Sequence, residues 1–463
     1  VKVAQGYAWL LLPLSPAHRS SSPHQTPPPV DGQRRHFQKL LAYLRPHWRQ
    51  ATLGVLALLI VNGVGVYIPL LIRGSIDDLQ LAFDFSQVLM DVVLIFILAS
   101  LMWAFRVGSR LLLFGVGRQV EFDLKQRIFE HLLTLEPAYF ATHTIGDLIN
   151  RATSDVENIR RLLGFAVLSG ANTLFAYALT LPVMLSINTR LTLLALSVYP
   201  VMLVLVQLSS NQLRRQQLTV QQELSNISEL VQEDMSGMAL IKIYGQEANE
   251  RQAFQGLNQR LLEANLALAL TRNMLFPVIG GLAYVSLLLV LWLGADAIAK
   301  GVIGIGDFIA LILYVERLVF PTALLGFTIT AYQRGEVSID RIESILMIEP
   351  KIQDRQGAIA LPRDQVRGEL TAKSLNYTYP GAKTPALQSV NFTIHAGETV
   401  AIVGPIGSGK STLANALPRL LEIAPGQLFL DGYDITQIRL PDLRSAIAYV
   451  PQDSFLFSAL IKN

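Results

Sequence analysis

Six stretches of this chain are long and apolar enough to cross a bilayer, and they restrict the fold more than any other feature. They are Ala51–Ile72, Val88–Phe105, Leu162–Ile187, Leu191–Leu208, Met274–Ala295 and Phe308–Phe327, each about 18–26 residues long. A helix rises about 1.5 Å per residue, so roughly 20 residues cover the ~30 Å of hydrocarbon. Within hydrocarbon each backbone N–H and C=O needs a partner inside the protein, which favours helices for runs of this length. Buried helices of a soluble core are the alternative, and six of them at spanning length argue against it. Charge agrees with the membrane reading. Only 16% of the residues are charged and 51% are hydrophobic, whereas soluble domains carry about 25% charged residues.

Basic residues set an expected orientation. Lys and Arg number seven in residues 1–50, seven in 109–161 and six in 209–273, but the intervening loops hold one each, Arg73, Arg190 and Lys300. Positive charge marks the cytoplasmic side, so the N-terminus, both long loops and everything after the sixth span are expected there. This makes the chain a multi-pass protein of the plasma (inner) membrane with the lipid bilayer as its solvent. A net charge of +3 is too small to argue for nucleic acid. With no cysteine in the chain, disulfides, thiolate metal sites and a cysteine nucleophile are excluded. Residues 1–33 are rich in Pro, Ser and His and are expected to be a disordered tail. The short apolar run "YAWLLLPL" within them also has the look of a signal core, broken by Pro13.

The two long loops, 109–161 and 209–273, carry apolar residues at helical spacing with charges all around. They are expected to continue the spanning helices out of the membrane and double back near Thr142–Gly146 and around Thr219–Ser228. A stalk without a partner and a docking element are both compatible with that pattern. Their similar length, on the same side as the segment described next, favours docking.

After Arg341 the composition changes. Residues 344–365 read as a linker, and "ELTAKSLNYTYP" and "VNFTIHAGETVAIVG" read as strands. "ETVAIV" suits a buried central strand, and "GPIGSGKSTLANAL" follows it directly. Strand, glycine loop, Lys-Ser and helix form the phosphate-binding pattern G-x-x-x-x-G-K-[ST]. Gly404, Pro405, Ile406, Gly407, Ser408, Gly409, Lys410, Ser411 and Thr412 would make the loop. Backbone N–H groups and the helix N-terminus supply an anion seat. Lys410 reaches the β- and γ-phosphates, and Ser411 offers its hydroxyl to Mg²⁺. Tyr379 is a candidate aromatic platform for a purine. Gln452, after the apolar run in "AYVPQD", is a candidate for Mg²⁺ and the γ-phosphate. Pro418 is tolerable only if the helix after the loop ends near Leu417.

These residues resemble the ATP-binding cassette (ABC) exporters in half-transporter form, one membrane domain fused to one cassette. The resemblance runs from about residue 34 to the end. It includes "YFATHTIGDLINR" and "DVENIR" in the first long loop and "LVQEDMSGMALIKIYGQE" in the second. In the cassette it includes "GPIGSGKST", "LFLDGYDI" and "LRSAIAYVPQDSFLF". It implies an all-α six-helix transmembrane domain, residues 34–343, followed by an incomplete α/β P-loop nucleotide-binding domain, residues 366–463. It also implies ATP and Mg²⁺ as ligands, a second half-transporter as homodimer or heterodimer partner, and a small amphipathic substrate. Tyr379 becomes the adenine-stacking aromatic and Gln452 the Q-loop glutamine. The family's signature motif, Walker B aspartate, catalytic glutamate and switch histidine all follow the Q-loop, and the sequence reaches Asn463 before them. The expectation for these 463 residues is therefore nucleotide binding without a hydrolytic base, with Lys410 and Gln452 the only catalytic-class residues. An ATP-binding membrane protein that does not transport, and an inactive truncated or dominant-negative partner, are the alternatives.

Glu316 and Arg317 fall near the middle of the sixth span, where a charge costs ~2.5–3.5 kcal/mol on insertion scales. They either line a cavity or pair with a neighbouring helix. Arg106 and Arg110, at the end of the second span, either snorkel to the interface or line the cavity entrance. Pro200, Pro277 and Pro321 are expected to bend their helices.

Overall fold

In the computed structural model each of the six apolar stretches lies within a long helix. The model describes residues 39–40, 42–81 and 84–452, so the reading of residues 1–33 as a disordered tail lies outside the described residues. The helices are α1 (Trp48–Leu81), α2 (Phe85–Thr134), the short α3 (Pro137–Thr142), α4 (Ile145–Ile187), α5 (Thr189–Tyr244), α6 (Glu247–Ala299) and α7 (Ile305–Leu346). α4 contains two π-turns, Arg151–Asp155 and Leu162–Ala166.

Local chemistry explains the boundaries. The Asp84 carboxylate accepts the Ser86 N–H at the start of α2, the Thr144 hydroxyl accepts the Asp147 N–H at α4, and the Asn188 side chain accepts the Leu191 N–H at α5. Each cap satisfies a donor that the helix cannot. α5 is interrupted at Ser197, so Pro200 falls in the first turn of the segment Val198–Tyr244, where a missing N–H costs little. Pro277 and Pro321 lie inside α6 and α7, and both helices run on past them.

The helices pack through a core of Met184, Leu191, Tyr199, Val290, Leu311, Tyr314 and Leu318. Its polar groups bond across helices. Tyr199 donates to the Val315 carbonyl at 2.7 Å, Tyr314 to the Val66 carbonyl at 2.7 Å, and Ser286 to the Ala195 carbonyl at 2.8 Å. Such bonds hold where apolar contact alone gives little driving force between helices.

α2 and α4 turn back through α3, close to the expected Thr142–Gly146. The second reversal differs from the expectation. Thr219–Ser228 is unbroken helix, and the chain reverses at Gly245 instead, with φ 62° in the left-handed region. The run "QQELSNISELVQED" contains no Gly or Pro, so nothing there ends the helix, whereas Gly at the residue after a helix does so without steric cost.

Beyond α7 a four-stranded antiparallel sheet has the order β2-β1-β3-β4, with β1 Leu370–Tyr377, β2 Leu387–Ile394, β3 Leu428–Leu430 and β4 Tyr433–Asp434. α8 (Lys410–Ala416) and α9 (Leu440–Ser445) accompany it, around a core of Leu375, Ala416, Leu428, Ile438 and Leu443. α8 ends before Pro418, which removes the conflict with that proline. The connecting residues join this core: Ile359 exchanges backbone hydrogen bonds with Gln437 and Arg439 at 2.7 and 3.0 Å. The expected strand through Glu398–Val403 is not formed. Val400, Ile402 and Val403 are exposed, and no described strand is hydrogen-bonded beside them. The apolar run before Gln452 likewise forms no strand. β-branched composition suits a strand only where a neighbour supplies the ladder.

Candidate functional site

The phosphate-loop pattern folds into a turn feeding directly into α8. Gly407 and Gly409 both adopt left-handed conformations, φ 83° and 89°. At Gly409 a Cβ would stand 2.5 Å from the Ala386 carbonyl oxygen, so the loop can lie against β2 only with glycine there. Ile406 is fully exposed, and the N-terminus of α8 takes no side-chain cap. The first N–H groups of the helix are thus left to an external acceptor, which a phosphate fits.

Lys410 folds back over the loop. Its Nζ donates to the carbonyls of Gly404 and Pro405 at 2.9 and 2.8 Å and approaches Ser408 Oγ at 3.4 Å. Ser411 is exposed. Thr412 is buried, and its hydroxyl lies 3.1 Å from that of Tyr379. Tyr379 in turn packs edge-to-face on Tyr377 with centroids 5.0 Å apart. The structure therefore brings Tyr379 to the loop, a contact that the spacing in sequence did not announce. Gln452 is exposed and makes no described hydrogen bond to the loop, although Tyr449 beside it donates to Asn415 of α8 at 2.6 Å. The donor set suits a nucleotide triphosphate: backbone N–H groups and the Lys410 ammonium for phosphate, and the Ser411 hydroxyl for a magnesium ion.

A second set of residues joins α4 to α7 and reaches the segment that follows α7. Asp147 of α4 accepts from Arg151 at 2.8 Å and from Arg341 of α7 at 3.0 Å. Buried Asp155 accepts from Ser338 at 2.9 Å and pairs with Arg341 at 3.3 Å. Arg151 also donates to the Arg341 carbonyl and to Ser344. The hydrogen bond from Arg151, with the nearby arginine charges, holds the Asp147 carboxyl below its ordinary value. Beside this network Leu135, Tyr139 and Leu148 pack on Ile345. The Glu136 carboxylate reaches the Lys351 N–H at 3.5 Å. Burial above all, followed by the charges of neighbours that include Tyr379 and Glu136, raises the Tyr377 phenol. Sequence reading missed the network, because Asp147 and Arg151 signal only an i, i+4 pair and their other partners lie some 190 positions away.

In the membrane domain Glu316 and Arg317 separate, as adjacent residues on a helix do. Arg317 turns to α1, where it donates to the backbone and side-chain oxygens of Asn62 at 3.1 and 3.2 Å. Asn62 in turn donates to Asn172 of α4 at 3.1 Å. Glu316 is exposed and lines a cavity of about 410 Å³ between α6 and α7. Neither finds an ion-pair partner among the described residues.

A family model described as the ABC transporter transmembrane region matches residues 52–322, and a second, described as ABC transporter, matches residues 387–463. The chain belongs to the ABC transporter family. This ABC transporter is 28% identical to a probable multidrug resistance ABC transporter ATP-binding/permease protein, YheI, of Bacillus subtilis, over 92% of its own length and 73% of that protein's. It is 28% identical to the multidrug resistance-like ATP-binding protein MdlA of Escherichia coli, covering 93% of this chain and 72% of MdlA. An ATP-dependent lipid A-core flippase of Syntrophus aciditrophicus shares 26% identity, covering 92% and 70% respectively. The six spanning helices make this ABC transporter a multi-pass membrane protein, and its cassette region marks it as a nucleotide-binding protein of the exporter type.

Proposed function

We propose that this chain is one half of an ATP-driven exporter that moves a hydrophobic or amphipathic substrate out of the cytoplasm. The observation that carries the reading is the continuity of α7. The same helix forms a wall of the membrane cavity at Glu316 and holds the polar network at Arg341. That network packs beside α3, whose neighbour Glu136 reaches the segment leading into the nucleotide region. Helix α7 thus runs from the cavity wall to the network beside the segment that leads into the nucleotide region.

In this reading Lys410 and the N–H groups of residues 406–411 bind the phosphates, Ser411 and Gln452 hold Mg²⁺, and Tyr379 stacks on the adenine after leaving Thr412. Bound nucleotide supplies the free energy that favours one arrangement of paired halves over the other. The partner is a second half-transporter of the same or a related sequence. The multidrug and lipid-flippase names of the relatives support an amphipathic cargo. The basic loops favour a cytoplasmic nucleotide region, and in this proposal the membrane is the plasma (inner) membrane. The test is nucleotide-dependent accumulation of an amphipathic dye in inside-out vesicles carrying the full gene product. Lys410→Ala should abolish accumulation at unchanged protein level. Accumulation that survives this substitution overturns the proposal.

A further inference from the structure

We propose that Glu316 is a specificity-determining residue, and that the cavity between α6 and α7 takes lipophilic cations in preference to anionic amphipaths. The inference rests on the exporter reading and names its substrate class. Both walls follow helical spacing. Phe276, Gly280 and Tyr284 are four apart on α6, and Ile312, Glu316 and Phe320 are four apart on α7, so each set shares a face. The cavity, about 410 Å³, lies within the range of drug-sized sites, about 300–1,000 Å³. Its lining is apolar and aromatic except for the Glu316 carboxylate and the Tyr284 hydroxyl.

Three features fix the sign of the charge. Glu316 has no hydrogen-bond or ion-pair partner among the described residues, although a carboxylate at mid-span is costly without one. The neighbouring cation that would neutralise it, Arg317, is turned away and engaged by Asn62. Among the described residues no basic side chain lines the cavity, so a phosphate or carboxylate headgroup would enter without a counter-charge and against Glu316. A cation instead meets the carboxylate and the electron-rich faces of Phe276, Tyr284 and Phe320. The apolar bulk of the same molecule fills the rest of the space.

The test is equilibrium binding of radiolabelled tetraphenylphosphonium to the full chain in nanodiscs of neutral lipid, with tetraphenylborate, an anion of the same shape, as competitor. Wild-type protein should bind the cation and be displaced poorly by the anion. Glu316→Gln should weaken cation binding at least about tenfold, and Glu316→Asp should retain most of it. Equal cation affinity in wild type and Glu316→Gln, or equal affinity of wild type for both ions, overturns the proposal. If Glu316→Gln does not fold, wild-type protein is treated with a hydrophobic carbodiimide and the peptide containing Glu316 is weighed. Tetraphenylphosphonium should protect that carboxyl, and absence of protection overturns the proposal equally. ATP binding is measured on the same sample. Cation selectivity without ATP binding sinks the exporter reading and leaves Glu316 as a selector, whereas ATP binding without cation selectivity does the reverse.

Discussion

Lys410 rests its ammonium on two carbonyls of its own loop. A phosphate offers the same group anionic oxygens, and hydrogen bonds to charged partners contribute about 1.5–3 kcal/mol. Lys410→Ala should therefore weaken Mg·ATP binding about 10- to 100-fold, measured by isothermal titration on the solubilised chain. An affinity within twofold of wild type would show that the loop amides suffice. Arg317 sets a different constraint. Its guanidinium lies against α1 where Gly65 leaves room, and a Cβ on residue 65 would collide with it. Gly65→Ala must displace the arginine or the helix, at a cost of about 1–3 kcal/mol, and should lower the unfolding temperature in detergent. In an Arg317→Met background the same substitution should cost much less. Equal costs in both backgrounds would refute the contact.

At the scale of elements, the extension of α2 beyond the membrane is joined to α4 by charge. Glu121 contacts Arg118 and Lys125 on its own helix and Arg160 of α4 at 3.2 Å. The hydrogen bond from Lys125, with further help from Arg118, holds the Glu121 carboxyl below its ordinary value despite an opposing burial effect. A depressed folded value means that the stabilisation is present above the unfolded value, about 4.3, and is lost as pH falls through the folded one. Hydrogen exchange in residues 118–128 should therefore quicken as pH drops below about 4, once intrinsic rates are corrected, and less so in Glu121→Gln. Flat protection across that range would remove Glu121 from the account. On the other side of α4, Asp155→Ala leaves Ser338 and Arg341 without their shared acceptor. It should destabilise the α4–α7 contact by about 1–3 kcal/mol and raise exchange around Ser338–Ile345, while residues 370–377 stay protected.

Much of this arrangement was legible in the sequence, for identifiable reasons. Spanning helices declare themselves through length and continuous apolarity, which no tertiary contact overrides. The loop and α8 declare themselves through glycines whose φ values other residues resist. The reversal at Gly245 was misplaced, because Ser, Thr and Asn at 219–228 look like turn formers but are tolerated on an exposed helix. Strand reading failed at Glu398–Val403, because a strand is made by its neighbours and its own composition cannot supply them. The Asp155–Ser338–Arg341 network and the Arg317–Asn62 pair were invisible for a related reason, since each depends on residues brought together from distant positions.

Within residues 47–463 two helices are far longer than a bilayer requires. α5 and α6 contain 56 and 53 residues, each about 80 Å at 1.5 Å per residue, and only ~30 Å of that fits inside the hydrocarbon. Their junction at Gly245, with exposed Ile243 and Tyr244, therefore stands well outside the bilayer. If the basic loops face the cytoplasm, trypsin should cut at Lys242 and Arg251 in inside-out vesicles and spare both in right-side-out ones. Cleavage confined to right-side-out vesicles would invert the proposed topology.

The proline within α7 has a mechanical consequence. Pro321 cannot donate the backbone bond that stiffens a helix, which makes it a natural pivot between Glu316 on one side and Arg341 on the other. Twenty residues separate Pro321 from Arg341, an arm of about 30 Å. A swing of only ~5° at the pivot sweeps the arginine through roughly 3 Å, as far as the hydrogen bonds it makes are long. A substrate that spreads the cavity wall by a few degrees would thereby release Arg341 from Asp147 and Asp155 with no helix unwound along the way.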